Sequence, residues 1–259
     1  IRSVHQEIEQ RKKIETLAKQ LETANERLKE LDQMKSEFLS IASHQLRAPI
    51  TAIRGYSSNM MEGAYGALSE TLKEPLSVIQ ESSRLMASSI EDYLNISRIE
   101  QGRMKYEKSD FDIADLAKKV VEELLPLASK KGLELSIEAP QDLMVNADIG
   151  KMKQVISNLI DNAIKYTEKG SVRVHVAKDD TLARIIISDT GVGIAPDEME
   201  GLFEKFKRAR GANKVNTTGT GLGLYVAKQL IEGNGGTIRI ESDGVGHGSR
   251  FIIELSAQK

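Results

Sequence analysis

The 259-residue chain has no cysteine and no tryptophan, only five prolines, and aromatic side chains at 4%. Without cysteine there is no disulfide, no thiolate nucleophile and no cysteine–zinc site. Its histidines, at 5, 44, 175 and 247, are too scattered for a metal-binding spacing such as H-x-x-x-H. Charge of one sign is also missing. Lys plus Arg number 36 against 38 for Asp plus Glu, and a formal charge of -2 gives no global attraction to nucleic acid or anionic lipid. No nucleic-acid partner is therefore expected. No apolar run approaches the ~18 residues of a membrane span, and no basic-then-apolar leader opens the chain. What is present suits a folded protein: 40% core-forming residues and 29% charged ones. The length is ~1.7 times a typical domain, which predicts two modest domains or one domain plus a helical arm.

The first third is helical in rhythm. Ile14, Leu17, Leu21, Ala24, Leu28 and Leu31 recur in steps of three and four, a coiled-coil seam that needs a partner helix. From Met34 through Phe38, Ala42 and Leu46 the strict heptad phase is lost, marking a join between two helical packing modes. The helical pattern stops at Gly63-Ala64-Tyr65-Gly66 and a second one runs from Leu72 through Leu94 to Gly102. Two such helices make a hairpin with one apolar stripe each, which a second copy would complete as a dimeric antiparallel four-helix bundle. From Phe111 strand-like and helix-like runs alternate. Strands are expected at 133–137, 172–176, 185–187 and 251–255, and helices at 112–130, 148–167 and 221–233. The fold class is thus α plus α/β, divided as 1–33 coiled-coil helix, 34–105 helical hairpin and 106–259 α/β sandwich domain.

Three segments of the last domain carry chemistry. On the helix near 148–167, Lys151, Asn158, Asn162 and Lys165 share one face opposite Met152, Val155, Ile156, Leu159, Ile160 and Ala163. Carboxamide oxygens are hard ligands suited to Mg²⁺, and a lysine neutralises a phosphate as a point charge. Next, Asp189-Thr190-Gly191-Val192-Gly193-Ile194 follows an apolar strand. There a carboxylate can accept from an exocyclic amine while glycines let the backbone approach a ligand. Finally, Gly219-Thr220-Gly221-Leu222-Gly223-Leu224 opens a helix, where unpaired N–H groups favour an anion. It is neither a G-x-x-x-x-G-K-[ST] loop nor a dinucleotide fingerprint. The preceding 205–216 stretch has the composition of a mobile lid, with Arg208 and Arg210 as candidate neutralisers. Taken singly, the helix stripe reads better as a solvated face and the Asp-Gly segment as a plain turn, and the lid stretch reads equally as an ordinary loop.

In this order and spacing they resemble the N, G1, F and G2 boxes of the ATP-binding domain of sensor histidine kinases, of the wider gyrase, heat-shock protein 90 and mismatch-repair ATPase family. The matching strings are Asn158-Leu-Ile-Asp-Asn162-Ala-Ile-Lys165-Tyr166, Asp189-Thr-Gly191-Val-Gly193-Ile, Leu202-Phe203-Glu-Lys-Phe206 and Gly219-Thr-Gly221-Leu-Gly223-Leu. The resemblance spans nearly everything from ~34 onward and implies a Bergerat-fold sandwich binding ATP and Mg²⁺. It implies that Asn162 and, more loosely, Asn158 hold the metal. Lys165 and Tyr166 would line the phosphate and nucleoside region, and Asp189 would recognise the adenine amine. Gly191, Gly193, Gly219, Thr220, Gly221, Leu222 and Gly223 would form the loops around the nucleotide.

The segment Phe38-Leu-Ser-Ile-Ala-Ser43-His44-Gln45-Leu46-Arg47-Ala48-Pro49 is similar to the same family's H box, so His44 is the expected phosphate acceptor. Standing two residues from both Ala42 and Leu46, it should point away from that stripe. Pro49 removes a helical hydrogen bond just beyond it, giving the helix a place to bend. Two positions depart from the family pattern. Gln45 replaces the usual acidic residue and brings no charge to stabilise an imidazolium-like transition state. Ala48 stands where Thr or Asn often supports dephosphorylation of the partner. The implied activity is autophosphorylation of His44 and transfer to an aspartate of a response-regulator receiver domain. The chain would act as a homodimer and as the cytoplasmic part of a longer protein with an upstream sensor. Two alternatives differ: an ATPase of the same fold that forms no phosphohistidine, and a dimeric nucleotide-binding scaffold.

Overall fold

The computed structural model describes residues 2–211 and 220–258, with side chains from residue 10 onward except 36–40 and 44. Two compact units divide the chain, Ile1–Ser97 and Arg98–Lys259.

The first unit is helical. Helix α1 spans Arg2–Met61 and passes through Pro49 and the predicted join near Met34 without a break. It ends because Gly63, at φ +82°, takes the left-handed conformation. Gly63 N–H then bonds Met60 O at 3.2 Å and Ala64 N–H bonds Asn59 O at 2.9 Å, a Schellman closure that satisfies the last carbonyls. Helix α2 (Glu70–Glu100) stops in the same way at Gly102, where Arg103 N–H reaches Arg98 O at 2.8 Å. Between the helices Arg47 pairs with Glu91 at 2.7 Å, a half-exposed bridge worth at most ~1 kcal/mol. The seam residues stand open in the single chain, Leu21 being 73% exposed and Leu28 65%.

The second unit is a sandwich of one helical layer on one mixed sheet. Its elements are β1 (Ser109–Asp112), α3 (Ile113–Lys130), β2 (Glu134–Glu138), β3 (Met144–Ala147) and α4 (Ile149–Tyr166). Then follow β4 (Ser171–Asp179), β5 (Leu182–Asp189), the single turn α5 (Pro196–Met199), α6 (Gly223–Gly233), β6 (Thr237–Glu241) and β7 (Ser249–Ser256). The five-stranded sheet runs β2-β4-β5-β7-β6, with β2 and β4 parallel and the other pairs antiparallel. Strands β1 and β3 form a separate antiparallel pair.

Period-two alternation sends one face of the sheet under the helices. Val176, Ile185 and Ile253 make one buried row across β4, β5 and β7; Val174, Ile187 and Phe251 make the next. Continuing that alternation brings Asp189 onto the same inward face, opposite Val172 and Ser249. The outward face carries charge instead, Glu254 accepting from Arg184 and Arg239, each at 2.9 Å. Helices α3, α4 and α6 cover the apolar face with Val120, Met152, Ile156, Leu159, Ile160, Leu230 and Ile231, all inaccessible to solvent or nearly so.

The four predicted strands and three predicted helices of this unit are present, within a few residues of their expected ends. The alternation did not reveal β1, β3 or β6. The first two are four residues long with polar or charged members, and β6 is a five-residue edge strand whose inward positions are only half buried. Ile185 lies at the centre of the sheet with no accessible surface. Truncation to alanine leaves a cavity the neighbours cannot close, so Ile185→Ala is expected to lower the unfolding free energy of this unit by about 2–5 kcal/mol. Urea denaturation of the full chain measures it, and a loss below ~1 kcal/mol would contradict this packing.

Candidate functional site

Helix α4 starts at Asp148, whose carboxylate accepts Lys151 N–H at 3.0 Å as an N-cap. Its apolar stripe is buried, and the stripe of Lys151, Asn158, Asn162 and Lys165 is half buried. The two carboxamides are adjacent, with Asn162 Nδ2 3.5 Å from Asn158 Oδ1. Lys165 is held by Asp161 at 2.6 Å, a partner that sequence reasoning passed over because Asp161 falls on the apolar side of the helix.

The C-terminus of α4 is fixed from outside. Lys131 Nζ donates to Ile164 O and Lys165 O, both at 2.7 Å, placing a cation on the negative end of the helix dipole. Partial burial lowers the Lys131 pKa, and Glu168 opposes that shift. Thr167, fully buried, donates to Ala163 O at 2.7 Å. Directly beyond, Tyr166 O accepts Val192 N–H at 3.1 Å, which ties the end of α4 to the loop after β5.

Asp189 ends β5 at that junction. It accepts Gly191 N–H at 2.8 Å and the Ser249 hydroxyl at 2.5 Å. Burial raises its pKa above the ordinary carboxylate range, while bonds from the Ser249 side chain, Gly191 N–H and Ser249 N–H oppose the rise. Gly191 is required because a Cβ there would run into Tyr166 O and stand 2.8 Å from Asp189 Oδ1 and 2.9 Å from Thr167 Oγ1. The 242–248 turn closes the other side: Gly246 N–H bonds Val192 O at 2.7 Å and Gly248 N–H bonds Gly191 O at 3.1 Å. Gly193, at φ +64°, lies against Gly244 O with no room for a side chain. Ser249 and this turn were missed, since only the β5–β7 register brings them to Asp189.

Helix α6 runs antiparallel to α4 and begins beside Asn158, with a Cβ on Gly223 falling 3.0 Å from that carboxamide. Among the described residues no side chain caps the α6 N-terminus; Thr220 Oγ1 accepts the N–H of the N-cap residue Leu222 at 3.3 Å. Leu222 is buried, locking the helix start into the core. Gly221, at φ +70°, packs on the backbone of Phe206 and returns a carbonyl to Phe206 N–H at 3.0 Å. Phe206 is itself left-handed at φ +63° and 65% exposed. The F-box residue Leu202 packs with Ile194 and Ala209 against Tyr166.

Asn158, Asn162, Tyr166, Asp189, Gly191, Gly193, Gly221, Leu222 and Gly223 are thus gathered around the C-terminal end of α4, the end of β5 and the start of α6. Lys165 is tied to Asp161. Gly219, and residues 212–218 of the expected lid, lie outside the described residues. Arg210 is paired with Asp197 at 2.5 Å and Glu198 at 3.0 Å, which engages the charge expected to be available to phosphate. His44 lies on α1, and its expected outward orientation falls outside the described side chains. Gln45 and Ala48 are exposed.

A helix bearing two carboxamides, antiparallel to a glycine-rich helix start and closed by a buried carboxylate, defines a nucleotide-site architecture. Residues 147–259 match the histidine kinase-, DNA gyrase B- and HSP90-like ATPase family, and residues 34–102 match the His Kinase A phospho-acceptor domain. The chain belongs to the sensor histidine kinases and comprises their transmitter region. It is similar to the sensor protein SrrB of Staphylococcus aureus (strain N315), 33% identical over 226 residues, which cover 87% of this chain and 38% of that protein. Among solved structures, full-length ShkA in complex with AMPPNP is 28% identical with a TM-score of 0.66, over 86% of this chain and 46% of that one. The Acinetobacter baumannii histidine kinase AdeS is 26% identical with a TM-score of 0.58, over 83% and 98%. The histidine kinase ThkA in complex with the response regulator protein TrrA is 26% identical with a TM-score of 0.55, over 86% and 61%. No helix among the described residues is long and apolar enough to cross a membrane.

The raised Asp189 pKa fixes the sign of a pH effect. Its ionisation disfavours the folded state, so its contribution is fully present below the ordinary carboxylate pKa and is lost as the pH rises through the higher folded-state value. Wild type should therefore gain stability relative to Asp189→Asn as the pH is lowered from about 7 towards 4. Urea unfolding of both proteins across that range tests this, and a gap moving the opposite way would refute it.

Proposed function

We propose that the chain is the catalytic core of a two-component sensor histidine kinase. ATP binds between α4 and α6, its γ-phosphoryl is transferred to His44, and phosphohistidine then donates to an aspartate of a response-regulator receiver domain. The observation that carries this reading is the meeting of Asn158, Asn162 and Gly223 beside the start of α6, with Asp189 buried at the neighbouring strand end. The phospho-acceptor match over 34–102 supports an acceptor in the same chain. The proposed division is 1–33 signalling helix, 34–105 dimerisation and phosphotransfer hairpin, and 106–259 catalytic domain. The open apolar stripes of α1 and α2, with Leu46 49% and Met86 46% exposed in the single chain, support a homodimer. An upstream sensor belongs to the same proposal, since the chain spans 38% of SrrB, and a cytoplasmic setting is proposed with it.

Asp189 is suited to accept from the adenine amine, because its inward-facing carboxylate is oriented by Gly191 and Ser249 before any ligand arrives. Gly221 and Gly223 let backbone N–H groups at the α6 start approach the phosphates. The carboxamide oxygens of Asn158 and Asn162 fit Mg²⁺ as hard neutral donors. Mg²⁺ held by so few protein ligands would be bound together with the phosphates of the nucleotide, as is usual for this ion. When bound, Mg²⁺ neutralises charge on the β- and γ-phosphates. An unprotonated imidazole nitrogen of His44 forms the new N–P bond as the bond from the γ-phosphorus to the β–γ bridging oxygen breaks. ADP leaves and the ring proton passes to solvent or a neighbouring acceptor. Gln45 accepts a hydrogen bond but is no practical base, so the transfer should run slowly, and Ala48 should make dephosphorylation of the partner weak.

Incubation with γ-labelled ATP and Mg²⁺ tests the reading. Acid-labile, base-stable label is expected on wild type and none on His44→Gln; label retained by that variant would favour the ATPase or scaffold alternatives. Gln45→Glu should raise the single-turnover rate, by up to the ~10²-fold expected of a modest general base. An unchanged or lower rate removes the account of Gln45. Asp189→Asn should weaken ATP binding by about tenfold or more, read by equilibrium titration with a fluorescent ATP analogue.

A further inference from the structure

The start of α4 and the end of α6, the ends opposite those that bear the carboxamides and Gly223, meet in a polar junction that the reaction does not use. Asp148 lies at its centre. One carboxylate oxygen caps α4 by accepting Lys151 N–H at 3.0 Å, while the other accepts Glu107 N–H at 3.0 Å from the segment that leaves α2. Its backbone N–H donates to Asn234 Oδ1 at 2.7 Å. Asn234 is the C-cap of α6, 6% exposed, and its own amide donates to Leu230 O at 2.8 Å. Beside this set, Tyr106 lies on the last turn of α6, its hydroxyl donating to Gln229 O at 3.3 Å. A Cβ on Gly233 would run into the Tyr106 ring, so that glycine makes the seat for it. Burial, and after it the Asp148 carboxylate, raises the Tyr106 pKa.

An N-cap needs only one oxygen, and Asn serves there about as well as Asp. The second oxygen of Asp148 is therefore surplus to the helix and committed to the connecting segment. Residues 106–107 are thereby fastened at once to the start of α4 and the end of α6, the two helices whose other halves carry Asn158, Asn162 and Gly223. We propose that Asp148 is a positioning residue for phosphoryl transfer: its second oxygen, with Tyr106 seated on Gly233, fixes where the tether departs, so that delivery of the phosphoryl group depends on it and nucleotide binding does not. This rests on the kinase reading of the preceding subsection.

The variant that separates the two oxygens is Asp148→Asn. It keeps an acceptor for Lys151 but turns an amide donor towards Glu107 N–H. Tyr106→Ala removes the ring without touching the cap. In the full chain both should bind a fluorescent ATP analogue within about twofold of wild type and melt within a few degrees of it, while the single-turnover rate at saturating ATP falls about tenfold. Hydrogen exchange should accelerate at residues 105–108 and stay slow over 158–166. Rates within about twofold of wild type, or nucleotide affinity lost in parallel with rate, would overturn the proposal. A wild-type chain that takes up no label would refute the kinase reading itself. The exchange measurement would still decide here, because unchanged exchange at 105–108 in Asp148→Asn would show that the bond to Glu107 fastens nothing.

Discussion

A carboxylate drawn into a protein interior must be met by donors or give up its charge. Asp189 sits at that constraint. It is brought inward by the same alternation that buries Ile185 and Ile187, and the Ser249 hydroxyl and Gly191 N–H are arranged to hold it. The surrounding loops have little freedom left. The chain after Asp189 must turn tightly enough for Gly191 N–H to come back, Tyr166 O then holds Val192, and the 242–248 turn closes over the same backbone through Gly246 and Gly248. At Gly191, Gly193 and Gly248 backbone approaches backbone more closely than any Cβ would permit.

The other half of the candidate site depends on helix ends. Helix α4 offers its carboxamides in its second half, and Lys131 steadies the carbonyls at its C-terminus. Helix α6 offers its uncapped start, fixed by buried Leu222 and by the clasp between Gly221 and Phe206. Running antiparallel, the pair puts chemistry at one end and structural closure, Asp148 with Asn234, at the other. A domain arranged this way separates the groups that meet a ligand from the groups through which the domain is held.

Much of this was legible in the sequence because the signals were periodic. The α4 stripe, the apolar strand just before Asp189 and the glycines at helix and strand ends were readable from the local sequence, and the resemblance to the kinase boxes joined them into one site. The remainder depended on contacts between distant segments. Ser249 reaches Asp189 only through the β5–β7 register, Lys131 reaches the end of α4 across 33 residues, and Asn234 reaches Asp148 across 86. No local pattern encodes such meetings. Edge strand β6 and the β1–β3 pair were hidden for a related reason: short elements with polar members carry too few alternations to stand out.

The 60 unbroken residues of α1 extend over about 90 Å at the usual helical rise. A rod of that kind conducts twist. Each turn is bonded to the next, so rotation imposed near Leu17 has no loop in which to dissipate before it reaches the turn that holds His44. In the proposed homodimer that rotation would change which side chains meet along the open leucines, and the length of the helix makes angle, more than distance, the quantity such a rod would pass on.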